Sequence, residues 1–285
     1  MNRIQKIRDN IARNIPQSRV HLNDGPDHRY FNEDTGEIYT SVTTKLRILS
    51  NPIFSDRKMN RSMEYILDNF DLNSSITGIS GTNERSITKE NLGHIIDEAK
   101  EYPGKLFKEA GTRGTRAHKY LDKYINEWIK RGIRPNYKDI LGSEPDVGQW
   151  SAIRSFIKWS HEHKFTPIAS ELMVWSHKNN LAGTLDCIGL LGNDLAVLDW
   201  KTSQVIIKSY YLQLAAYAGM FKELTRLRPK RFMIVKLDLK QGQSHCEEVV
   251  DQPNLYKTYL LCSKLYDRMI TLNTEINQSK PKLVL

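Results

Sequence analysis

The chain has 285 residues, 39% hydrophobic and 26% charged, enough apolar mass to bury a core and too much for a disordered polymer. Lys and Arg number 42 against 33 Asp and Glu, a net charge of +9, which favours a polyanionic partner and says nothing about fold. Cys187, Cys246 and Cys262 match neither a disulfide framework nor a CxxC metal clip, no run of about 18 apolar residues reads as a membrane span, and the N-terminus lacks a signal-peptide pattern, so a soluble, cytoplasmic protein is expected.

Residues 1–20 carry Arg3, Lys6, Arg8, Arg13 and Arg19 against Asp9, suiting a solvated basic arm or an amphipathic helix that ends before Pro16. Turn-forming Asn-Asp-Gly-Pro and Asp-Thr-Gly bracket residues 29–31 and 37–39, which predicts a β-hairpin. Helical spacing covers 43–49 and 55–70, the second with Ser55 as N-cap. The Ser-, Asn-, Thr- and Gly-rich stretch 71–86 reads as a loop and boundary. Helices follow at 88–101, 104–131 and 145–164.

The period then changes. Strands are expected at 167–178, 181–191 and 194–201, separated by Asn-Asn and Gly-Asn-Asp turns. A helix at 208–224, strands at 231–238 and 245–250, and a long helix at 253–277 complete the chain. This order predicts an α/β fold, a mixed β-sheet core flanked by helices, with a helical N-terminal part laid against it. The corresponding division is 1–102 and 103–285.

The chemistry-bearing stretch is Ala-Gly-Thr-Leu-Asp186 followed by Ala-Val-Leu-Asp199-Trp-Lys201. Side chains two apart on a strand share a face, so Asp199 and Lys201 project together while Leu198 and Trp200 pack on the other side. The turn at 192–194 folds the Asp186 strand back antiparallel, which makes neighbours of the two aspartates. Close carboxylates repel unless a proton or cation joins them, and hard oxygen ligands suit Mg²⁺ or Mn²⁺. Glu171 offers a third carboxylate. The bland alternative is a solvated Asp-x-Lys ion pair at a strand edge, against which stands the apolar run just before it.

Upstream, His118 follows Gly114 by one turn beside the apolar stripe of Ala110, Ala117, Leu121 and Ile125. A neutral imidazole there fits a metal shell or a phosphate contact, or else a bond to Asp122 one turn on. Arg113 and Arg116 fit phosphate contacts or simple surface solvation. Downstream, Gln213 and Tyr217 lie four apart on one helical face, placed either to bond the sheet edge or to hold Lys201 and the substrate. Lys208, Arg226, Arg228, Lys230 and Arg231 form a basic cluster after the carboxylates, suited to a phosphate backbone or to a solvated surface. Tyr30, Tyr210 and Tyr211 are core aromatics or stacking platforms for unpaired bases.

Taken in order, Gly114-x-x-x-His118, Glu171, Gly183-Thr-Leu-Asp186, Leu198-Asp199-Trp-Lys201 and Gln213-x-x-x-Tyr217 resemble the PD-(D/E)XK nuclease superfamily, in particular its RecB-like exonuclease branch with the mitochondrial genome maintenance exonucleases and their phage relatives. The likeness covers residues 110–220; Ser41-Val-Thr-Thr44, with Thr40 where Pro is usual, extends it to 37–50. It implies a restriction-endonuclease-like fold and a Mg²⁺- or Mn²⁺-dependent deoxyribonuclease. Its metal ligands would be Asp186, Asp199, His118 and the Trp200 carbonyl. Lys201 would assist the attacking water, Glu171 would support the site, and Gln213 and Tyr217 would complete the motif. The expected substrate is DNA, chiefly single-stranded ends, in replication, recombination or repair. A non-catalytic nucleic-acid-binding scaffold and a structure-specific endonuclease are the alternatives. With three cysteines, none suitably spaced, no iron–sulfur cluster is expected.

Overall fold

The structure, a computed structural model, describes residues 2–16, 20–23, 29–49, 52–69, 89–141, 147–240 and 243–279. The chain forms two compact units: residues 1–49 together with 116–285, and residues 50–115. The division expected at 102–103 falls inside a helix, and the N-terminal segment groups with the sheet. The loop expected at 71–86 lies outside the described residues. No described helix is long and apolar enough to cross a membrane.

In the larger unit, α1 (Arg3–Asn14) is the amphipathic helix rather than a solvated arm. Asn2 caps it by accepting from the Gln5 amide, and Ile7 and Ile11 bury its apolar stripe. Strands β1 (Val20–Asn23), β2 (Arg29–Asn32) and β3 (Ile38–Ser41) form an antiparallel meander, so the expected hairpin is its β2–β3 portion. Ser41 ends β3 and caps the single turn α2 (Val42–Lys45), its hydroxyl accepting from the Thr44 amide at 3.0 Å.

Helix α4 (Lys89–Arg131) begins in the smaller unit, where it packs on α3 (Pro52–Asn69) through a Ser62 hydroxyl to Ala99 carbonyl bond of 2.7 Å and a tilted Tyr65–Tyr102 ring pair with centres 4.7 Å apart. Two helices were expected over this stretch, but the chain stays helical through Pro103. Proline there removes one backbone bond. Burial of its ring accompanies that loss. Beyond α4 come the short α5 (Tyr137–Leu141) and α6 (Val147–Glu162).

Strands β4 (Phe165–Ser176), β5 (Leu181–Leu191) and β6 (Asp194–Lys201) run antiparallel. Helix α7 (Lys208–Thr225) then carries the chain back so that β7 (Arg231–Leu237) pairs parallel to β6, β8 (Ser244–Glu248) closes antiparallel, and α8 (Gln252–Ser279) follows. Among the described residues the sheet has eight strands in the order β1-β2-β3-β5-β6-β7-β8, with β4 also on β5. It is the mixed sheet expected.

Strand β5 is the hub. One edge carries β4 along its whole length; the other is shared by β3, parallel at Leu181–Ala182, and β6, antiparallel from Cys187 to Leu191. On that edge residues 183–186 lie between the two partners, so the sheet forks there. Leu185 and Ile188, three apart instead of two, belong to the same core layer, so the alternation slips at Asp186 and Cys187.

Two apolar layers enclose the sheet. One joins it to α1, α2, α7 and α8, the other to α4 and α6 through an aromatic cluster that includes Trp128, Phe156, Trp159, Phe165 and Trp200. Its ring pairs are mostly edge-to-face, each worth about 0.5–1.5 kcal/mol beyond burial. Gly183 lets α7 approach the other face, because a methyl there would overlap the Tyr217 ring.

Candidate active site

Asp199 sits near the end of β6, fully buried. The Lys201 ammonium meets Oδ2 at 2.7 Å as an ion pair, and no other group among the described residues hydrogen-bonds to this carboxylate. A buried carboxylate with unfilled lone pairs is costly unless a cation meets it. Burial pushes its pKa up to about 6 against the opposing pull of Lys201, and Asp186 pushes it further.

Asp186 lies across the fork, where continuing the β5–β6 register past Cys187 and Leu198 would set it opposite Asp199. The strands have separated at this point, and Asp186 Oδ2 accepts instead from the Trp200 amide at 2.7 Å. Its pKa is also raised to about 6, by burial, with Lys201 and the Trp200 amide pulling the other way. Glu171 on β4 falls between the Ser170–Cys187 and Leu172–Leu185 pairs, directly across from Asp186. Its φ of 47° is left-handed, a strained conformation for a side-chain-bearing residue in a strand. Burial first, then Asp186, Asp122 and Asp199, raise its carboxyl to about 8.

His118 closes the group from α4, its Nδ1 at 3.7 Å from Asp186 Oδ2 and its ring also bonded to the Trp200 backbone. Burial and the Lys201 charge depress it to about 4, so the imidazole is neutral at physiological pH and offers a lone pair. It does not take the alternative place beside Asp122, which accepts instead from Asn126 at 2.8 Å. One ligand atom each from His118, Glu171 and Asp186 lie within 4.8 Å of one another. Two oxygens and a neutral nitrogen suit a divalent cation. Glu171, expected only to support the site, stands among the three, whereas Asp199 is held by Lys201 at the margin.

Lys201 is fixed from three sides. Besides Asp199, its ammonium donates to Gln213 Oε1 at 3.4 Å and lies 4.7 Å from the centre of the Tyr210 ring. Gln213 in turn donates to the Tyr217 hydroxyl at 3.2 Å. Burial lowers the lysine pKa, but Asp199 and Asp186 outweigh it and the net shift is upward. The N-terminal meander also reaches this region, with the Tyr30 hydroxyl 3.1 Å from Thr184 Oγ1, two residues before Asp186.

The basic residues divide. Lys208 opens α7, whose first turns carry Tyr210 and Gln213, and Arg116 is exposed on α4 two residues before His118. Arg113 belongs to the smaller unit and pairs with Glu109 at 3.7 Å. Arg226, Arg228, Lys230 and Arg231 do not come to the carboxylates. Arg231 is level with Ala196 and Lys236 with Lys201, so five residues of strand, roughly 17 Å, separate this cluster from Lys201. Arg231 pairs with Glu248 and Lys230 with Asp194. Proximity in sequence suggested otherwise because α7 turns the chain back along the strands. Tyr210 was legible as an aromatic near basic residues, but its place against Lys201 was not.

A buried carboxylate and imidazole cluster beside a fixed lysine, on a mixed sheet, is an arrangement suited to metal-assisted hydrolysis. Residues 86–279 match the sequence profile of the PD-(D/E)XK nuclease superfamily, and the chain belongs to that superfamily. A solved structure described as that of SSO0001 is similar over 54% of this chain and 71% of that one, at 11% identity with a TM-score of 0.28. A search of curated proteins gave no match.

Proposed function

We propose that this chain is a Mg²⁺- or Mn²⁺-dependent exonuclease of the RecB-like branch that hydrolyses DNA from single-stranded ends, in replication, recombination or repair. The observation that carries the reading is the convergence of Glu171, Asp186 and His118 on one point, with the buried Asp199 ion-paired to Lys201 beside it.

His118, Asp186, Glu171, Asp199 and the Trp200 carbonyl are the groups that would hold the ion. A divalent cation bound there supplies Lewis acidity to the phosphodiester and to an attacking water. In the metal-free chain Asp199 and Asp186 outweigh burial and hold Lys201 as a cation. Its part is to orient the water by donating to it and to offset charge on the attacked phosphate. Gln213 and Tyr210 hold that ammonium in line, and Tyr217 holds Gln213. Arg116 and Lys208 would meet the substrate near the scissile bond; Arg113, Arg226, Arg228, Lys230 and Arg231 remain as contacts to flanking nucleotides.

The test is digestion of end-labelled linear and covalently closed circular single strands with Mg²⁺ and with Mn²⁺. Linear strands should be shortened and circles spared. Asp199→Ala and Lys201→Ala should each lower the rate by at least about 10³ while leaving binding largely intact. Cleaved circles would make the protein an endonuclease, and salt-dependent binding without cleavage by either ion would make it a scaffold.

A further inference from the structure

We infer that Lys236 is a substrate-binding residue that holds the phosphate adjoining the scissile one; the inference rests on the nuclease reading above. Parallel pairing of β6 with β7 sets Lys236 directly beside Lys201. Register partners share a face of the sheet, and this one is fixed by Val197 and Ile234, which lie in the core layer that includes α7. Both ammonium groups therefore emerge on the same side, from strands about 4.8 Å apart.

The two lysines differ in how their charge is met. Lys201 is compensated by Asp199, whereas the Lys236 ammonium donates to the neutral Gln204 carbonyl at 2.6 Å. Among the described residues no carboxylate pairs with Lys236. Glu247, on the same face of β8, accepts from the Tyr211 hydroxyl and lies 3.4 Å from His245. The bond to Gln204 ties Lys236 to the loop that leaves Lys201, so its position is set by the same segment that sets the catalytic lysine. Half-exposed, anchored through a neutral group and one strand from the reaction centre, it has donors left for a second anion. Consecutive phosphates of one strand present that second anion.

A linkage scan tests this. Labelled single-stranded DNA carrying a neutral methylphosphonate at each linkage in turn is titrated with protein in Ca²⁺, read by fluorescence anisotropy. The wild type should lose about tenfold in affinity at the linkage next to the cleaved one, the scale of one charged hydrogen bond. Lys236→Gln should bind all-phosphate DNA about tenfold more weakly, lose sensitivity at that one linkage, and show a salt slope smaller by about one. Lys236→Arg should restore both. Lys158→Gln, at an exposed position of α6, should leave the linkage profile unchanged. Thermal melting of Lys236→Gln should match the wild type. Normal binding by Lys236→Gln, or retained sensitivity at the same linkage, overturns the assignment. Failure of the nuclease reading shows separately, as absence of cleavage by the wild type in Mg²⁺ and Mn²⁺.

Discussion

At the scale of single residues, the site is a set of charges that the fold holds at a cost. Glu171 has the clearest consequence. Its carboxyl rises from an ordinary 4.5 to about 8, so the folded chain prefers it neutral. Its stabilising contribution is complete below pH 4.5 and is lost as pH climbs toward 8. His118 runs the other way, lowered from 6.5 to about 4; its contribution is complete above 6.5 and lost as pH falls. Asp186 and Asp199, raised to about 6, act mainly below the interval from 8 to 6.5, which isolates Glu171. The metal-free protein should therefore melt at a higher temperature at pH 6.5 than at pH 8, and Glu171→Gln should flatten that slope. A slope unchanged in the variant would contradict the assignment. Mg²⁺ or Mn²⁺ at a hundred times its dissociation constant should stabilise by about 2.7 kcal/mol at pH 8, and by less in acid, where protons compete.

At the scale of elements, the fork in β5 explains what was readable and what was not. Alternation, the turn at 192–194 and the apolar run before Asp199 made the antiparallel β5–β6 pair and its two aspartates legible. The slip at Asp186, the left-handed turn of Glu171 and the parallel seating of Lys236 beside Lys201 depend on which strand meets which edge, and no local pattern encodes that. Pro103 misled for a related reason: the local rule ends a helix at proline, and tertiary packing carried this one through. Gly183 is where element packing and site meet. Gly183→Ala should force Tyr217 aside, lowering stability by about 1–3 kcal/mol and the cleavage rate with it. In a Tyr217→Ala background the same change should be nearly neutral, a coupling that a double-mutant cycle of denaturation midpoints measures.

For the whole molecule, the segment before residue 50 belongs to the catalytic unit, although the family match begins at residue 86. Ile7, Ile11, Val20, Tyr30, Tyr39 and Val42 are buried in the same core layer as Leu185 and Tyr217, and β3 fills the upper half of the forked edge. A fragment comprising 86–279 should therefore lack a cooperative melt, whereas the full chain should show one by calorimetry. A cooperative fragment would mean that the N-terminal meander is dispensable. The hairpin and the helices expected in the N-terminal part are there as β2–β3, α2 and α3, but the short strands gave no sign that their partner lay some 140 residues ahead.

The left-handed backbone of Glu171 carries one more implication, for anyone evolving the protein in the laboratory. Glycine at that position would relax the main chain and remove a repelling carboxylate at once. A selection scored on heat resistance alone is therefore drawn to the candidate pocket, and on the proposed function hardier descendants would emerge as inert ones unless turnover is screened alongside.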